Sequence, residues 1–86
     1  LVTKTVKITN KLGLHARPSA KVVQTASQFV SDIMLEKEGL EVNGKSIMGV
    51  MMLAAEAGSE VTVKANGSDE EKAADILVKL LGSKFE

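Results

Sequence analysis

The hydrophobic pattern of this 86-residue chain alternates between a two-residue and a 3.6-residue period, and nearly every segment is apolar along one side only. Such a chain has no strand to bury on both faces. It can lay amphipathic helices on one face of a sheet and leave the other face to water. Val2, Val6 and Ile8 share one parity against Thr3, Thr5, Lys7 and Thr9, which predicts a half-buried strand over Val2–Thr9. A loop over Asn10–Gly13 leads into a helix expected from about Ala16 to Gln28. Its core stripe is Ser19, Val22, Val23, Ala26 and Phe29 or Val30; Arg17, Ala20, Lys21, Gln24 and Ser27 lie on the opposite side.

Two short strands, Asp32–Lys37 and Leu40–Asn43, are expected around the turn Glu38-Gly39. Ser46 suits the N-cap of a short helix reaching about Ala54. Val61, Val63 and Ala65 alternate with Glu60, Thr62, Lys64 and Asn66 in a fourth strand. Ser68 and Glu71 have capping-box spacing before a last helix carrying Ala73, Ala74, Leu77, Leu80 and Leu81, with Gly82 as its stop. The order is β-α-β-β-α-β-α, an α+β domain over residues 1–86; the strand order does not follow from the pattern.

Composition removes several functions. Eleven basic and eleven acidic side chains cancel, and the aromatics are only Phe29 and Phe85, so neither the charge nor the stacking surface for nucleic acid is present. There is no cysteine, hence no disulfide or thiolate metal site, and no metal-ligand cluster or Gly-rich nucleotide loop. No cofactor is expected. No stretch approaches the roughly 20 apolar residues of a membrane span, so a cytoplasmic protein is expected. Asp69-Glu70-Glu71 is read as a set of dipole partners in a helix's first turn, and Lys4, Lys7 and Lys11 as a solvated strand edge.

The one histidine stands in Gly13-Leu14-His15-Ala16-Arg17-Pro18-Ser19, where loop becomes helix. An isolated His-x-Arg is usually a surface pair, but a helix start is a prepared anion site. With His15 as N-cap, Ala16, Arg17 and Pro18 form the first turn; proline is harmless there, although it disfavours helical geometry at Arg17. The N–H groups of Ala16 and Arg17 are then free for phosphoryl oxygens, while Gly13 leaves room for a partner's active site. Neutral imidazole attacks phosphorus readily and leaves readily once protonated, and a guanidinium can hold the oxygens in flight.

Residues 13 to 19, together with Val23-Gln24-Thr25-Ala26-Ser27 and Lys45-Ser46-Ile47-Met48-Gly49-Val50-Met51, resemble the HPr family, the histidine-containing phosphocarriers of the bacterial sugar phosphotransferase system. The resemblance covers nearly the whole chain. It implies an open-faced β-sandwich with antiparallel strand order 1-4-2-3 and three helices on one face. It also implies a carrier rather than an enzyme, acting as a monomer: His15 would take a phosphoryl group on Nδ1 from phosphoenolpyruvate through enzyme I and pass it to IIA domains of sugar permeases. Arg17 matches the family's phosphate-contacting arginine. Leu12 departs from relatives that carry a small polar residue there.

The same resemblance gives Ser46 a second reading beside that of a plain cap. Its surroundings are similar to the segment recognised by HPr kinase/phosphorylase, and the phosphorylated form binds a catabolite-control transcription regulator in many Firmicutes. An alternative follows, a regulatory module acting through phospho-Ser46, although regulatory paralogues of the family lack the histidine. From Ile47 to Ala55 the chain is uncharged, and a short helix on a sheet cannot bury every side. Val50, Leu53 and Ala54 are expected to face the core with Met52. Ile47, Met48 and Met51 are assigned to a partner-docking surface that Ala20, Lys21, Gln24 and Ser27 extend around His15.

Overall fold

Alternating side chains produce the strands as expected, and their register decides which face is buried. The computed structural model describes residues 1–83. Its elements are β1 (Val2–Lys7), α1 (Ala16–Ala26), β2 (Asp32–Lys37), β3 (Leu40–Asn43), α2 (Ile47–Leu53), β4 (Glu60–Asn66) and α3 (Glu70–Leu81). The four strands form one antiparallel sheet in the order β1-β4-β2-β3. This is the order implied by the family resemblance, and the fold is the open-faced sandwich.

On the covered face, Ile33, Leu35, Val61, Val63 and Ala65 are fully buried beneath the helices. α3 packs over β1 and β4, α2 over β2 and β3, and α1 against both other helices. Val22, Val50, Leu77 and Leu81 close this core from above; truncating Leu77 to alanine would cost about 2–5 kcal/mol. The bare face carries Thr5 beside Thr62, and Lys64 pairs with Glu36 at 3.0 Å and Glu41 at 2.8 Å. Both carboxylates raise the Lys64 pKa, Glu41 more strongly.

Several boundaries differ from the sequence-based expectation. β1 ends at Lys7, because Thr9 turns away and its Oγ1 donates to the Gly82 carbonyl at 2.6 Å. Lys4 is no part of a free cationic edge: it shares the parity of Val2 and Val6 and pairs with Asp75 of α3. α1 stops at Ala26, and of the two candidates Phe29 is buried while Val30 is exposed. The N-cap of α3 is Asp69, not Ser68, so the Ser68–Glu71 capping box does not form. Glu70 instead reaches back to the Gly67 N–H at 3.1 Å, and that bond lowers the Glu70 pKa. Asp69 accepts from the N–H groups of Val30 and Ser31, each at 3.0 Å, and from the Ser31 hydroxyl. It clamps the end of α1's turn to the start of α3.

The end of α2 also departs from expectation. Ala54 is exposed and adopts the left-handed conformation at φ 51°, which turns Ala55 into the core in its place. Met52 lies in solvent, not the core, because Val50 and Leu53 already occupy the face of this seven-residue helix that meets the sheet.

Candidate functional site

The entrance to α1 is built by the segment before it. Asn10 and Gly13 close a turn: the Gly13 N–H donates to the Asn10 carbonyl at 2.9 Å, and Asn10 Nδ2 donates to the Gly13 carbonyl at 2.8 Å. Gly13 is buried at φ +69°, and a Cβ there would stand 2.3 Å from the Ala55 carbonyl oxygen. The expectation that Gly13 leaves room for a partner is therefore corrected: the space it frees is filled by this chain's own backbone. Leu14 is held on both sides, its N–H donating to Ala55 at 2.8 Å and its carbonyl accepting from buried Ser19 Oγ at 3.1 Å. Ser19 sits in the apolar stripe without penalty because that bond satisfies it.

His15 follows as the N-cap of α1, in extended backbone conformation at φ −82°, ψ −168°. Its carbonyl accepts from the Ser19 N–H at 2.9 Å, while its imidazole makes no capping bond and is exposed. The N–H groups of Ala16 and Arg17 have no partner among the described residues, and Pro18 has no N–H to satisfy. Arg17 is helical despite the proline after it, the first turn being closed by the Ser19–His15 bond.

His15, Arg17, Ala20, Lys21 and Gln24 line one shallow open groove of about 630 Å³ with Asn10, Pro18, Leu80 and Ser83. Among the described residues Arg17 and Lys21 are its charged members, and no carboxylate of theirs lines it. In a chain of zero net charge this concentrates positive potential beside the ring, reinforced by the N-terminal end of the α1 dipole. The groove suits an anion of small size held against an imidazole. Ser27 is exposed at the far end of α1 and does not line it. Asn10, Leu80 and Ser83 escaped the sequence reading. An Asn three residues before a Gly is a turn signal that could have flagged Asn10, whereas Leu80 and Ser83 reach the groove only because α3 packs beside α1.

Ser46 caps α2, its Oγ accepting from the Gly49 N–H at 3.1 Å. Ile47, Met48, Met51 and Met52 are all exposed on this helix. Lys45 Nζ donates to the Phe29 carbonyl at 2.7 Å just beyond α1, while Gly13 and Leu14 abut Ala55 just beyond α2. The two helices therefore run antiparallel, with His15 and Ser46 at opposite ends. No cluster of three or more histidine or acidic side chains placed to hold a metal occurs among the described residues, and no described helix is long and apolar enough to cross a membrane.

Comparison with known proteins agrees with this geometry. A family model described as "PTS HPr component phosphorylation site" matches residues 2–83. The phosphocarrier protein HPr of Cupriavidus necator is 49% identical over 85 residues, covering 99% of this chain and 96% of that protein. The HPr-like protein Crh of Bacillus subtilis is 51% identical over 77 residues, covering 90% and 91%. The crystal structure of HPr-C-His from Thermoanaerobacter tengcongensis is similar with a TM-score of 0.94 at 52% identity, covering 99% of this chain and 96% of that one. By sequence, by fold and by the histidine at the mouth of α1, the chain belongs to the HPr family of phosphocarrier proteins of the bacterial phosphotransferase system.

Proposed function

We propose that His15 is the phosphoryl carrier, receiving the group from phosphoenolpyruvate through enzyme I and passing it to IIA domains of sugar permeases. The observation that carries this reading is the exposed imidazole and the two backbone N–H groups, which have no hydrogen-bond partner among the described residues, beside the cations Arg17 and Lys21. In the forward step imidazole nitrogen forms a P–N bond as the donor's bond to phosphorus breaks; protonation of the ring then makes it a good leaving group toward the acceptor. Arg17 and the N–H groups of Ala16 and Arg17 hold the oxygens as charge shifts among them. Ile47, Met48 and Met51, with Ala20, Lys21, Gln24 and Ser27, form the partner surface.

Ser46 is a regulatory phosphorylation site in this reading, served by HPr kinase/phosphorylase. A phosphate there meets the positive end of α2 and leaves the fold intact. Ser46 stands at the opposite end of the α1–α2 pair from His15, so in this reading the charge acts on docking partners, enzyme I and a catabolite-control transcription regulator among them. The similarity to Crh motivates the alternative of a regulatory module in which His15 is idle. Incubation with enzyme I and labelled phosphoenolpyruvate tests the choice. Acid-labile label on the protein, absent from His15→Ala, is expected; an unlabelled wild type overturns the carrier reading in favour of the module.

A further inference from the structure

We propose that α2 is a reversible oxidation site, where peroxide converts Met48 and Met52, then Met51, to sulfoxides and thereby disables docking. The inference rests on the reading of α2 as a partner surface and adds its regulation. The chain has four methionines and no cysteine, so thioethers are its only sulfur. Three of the four sit on one seven-residue helix, with relative exposures of 72% for Met48, 66% for Met52 and 45% for Met51. The fourth, Met34, is half-buried on the sheet between the registers of Lys64 and Asn43. Solvent-facing positions of a short helix are ordinarily polar, whereas here they are oxidisable and uncharged.

The chemistry is a two-electron transfer. The thioether sulfur donates a lone pair to one peroxide oxygen, an S–O bond forms as the O–O bond breaks, and the departing hydroxide takes a proton to leave as water. Sulfur is oxidised and peroxide reduced. The product is a polar, chiral side chain in place of a flexible apolar one, and methionine sulfoxide reductases reverse it. A partner closing over α2 must then desolvate sulfoxide dipoles it has no donors to satisfy. The fold is spared, because α2 is anchored by Val50 and Leu53, which carry no sulfur and are buried.

The test treats the protein alone with hydrogen peroxide, removes the oxidant, and follows both peptide mass and phosphoryl transfer from enzyme I. Met48 and Met52 should oxidise before Met51, and Met34 last. Oxidised wild type should need about tenfold more carrier for half-maximal transfer, the scale of losing one anchoring side chain from an interface, and the reductase should restore it. The variant Met48→Leu/Met51→Leu/Met52→Leu, measured against its own untreated rate, should be insensitive to peroxide; Met34→Leu should remain as sensitive as wild type. Sensitivity of the triple variant, or undiminished transfer by oxidised wild type, overturns the proposal. Met48→Lys separates the two levels. If it slows transfer while oxidation does not, only the oxidation switch is wrong; if neither slows transfer, α2 is not a docking surface and both readings fall.

Discussion

The N–H of Leu14 meets the carbonyl of Ala55 at 2.8 Å, and this bond ties the residue before His15 to the chain that leaves α2. The entrance to α1 is thus set by an element forty residues further along, and the closest approach is possible only where Gly13 lacks a side chain. Gly13→Ala must force a Cβ against backbone and hold alanine in the left-handed region. A loss above about 2 kcal/mol is expected, or roughly 10 °C in Tm for a domain of this size. Transfer should slow as well, because His15 loses its fixed position; thermal melts and transfer kinetics on the same preparation check both.

Arg17→Ala should lower the maximal transfer rate on the order of a hundredfold, as loss of a donor to an oxyanion does. The carrier concentration at half-maximal rate should change much less. Arg17→Lys should recover only part of the rate, since an ammonium cannot reproduce a forked guanidinium. Steady-state transfer from enzyme I measures both quantities.

At Ser46 the structural and regulatory roles predict different outcomes. Ser46→Ala removes the acceptor for the Gly49 N–H and should cost about 1 kcal/mol. Ser46→Asp keeps a capping oxygen and should retain Tm, yet it should weaken coupling to enzyme I by charging the docking surface. Paired melts and transfer assays would show the two effects separating.

Ala54 closes α2 in the left-handed region, where a Cβ is strained. Ala54→Gly should relieve this and raise stability by about 1 kcal/mol, a gain read directly from urea unfolding.

Acid stability follows Asp69. The Ser31 hydroxyl, then the N–H groups of Val30 and Ser31, hold its carboxyl below the ordinary carboxylate range. Its pKa is lower folded than unfolded, so the stability it contributes is present above the unfolded value of about 3.9 and is lost as pH falls through the lower native value. Asp69→Asn should therefore be less stable than wild type at neutral pH, with the difference shrinking below about pH 4. Urea midpoints across pH 2–7 would reveal that convergence.

What the sequence determined by itself was local. Alternation in Val61, Val63 and Ala65, the stripe through Val22 and Ala26, and the cap at Ser46 each depend on neighbours within a few residues, so they could be read without a fold. The N-cap position of His15 was legible for the same reason. Tertiary structure decided everything that needs two distant segments to compete for one space. Met52 and Ala54 lost their expected core positions because Val50, Leu53 and Ala55 filled them first. Asp69 displaced Ser68 as the cap because its carboxylate was drawn to the donors of Val30 and Ser31. Gly13 proved to be a contact with Ala55, and Leu80 joined the His15 groove, only once the helices had packed. Periodicity records which side of an element is apolar; which neighbour arrives to cover it is settled by close packing of the whole chain.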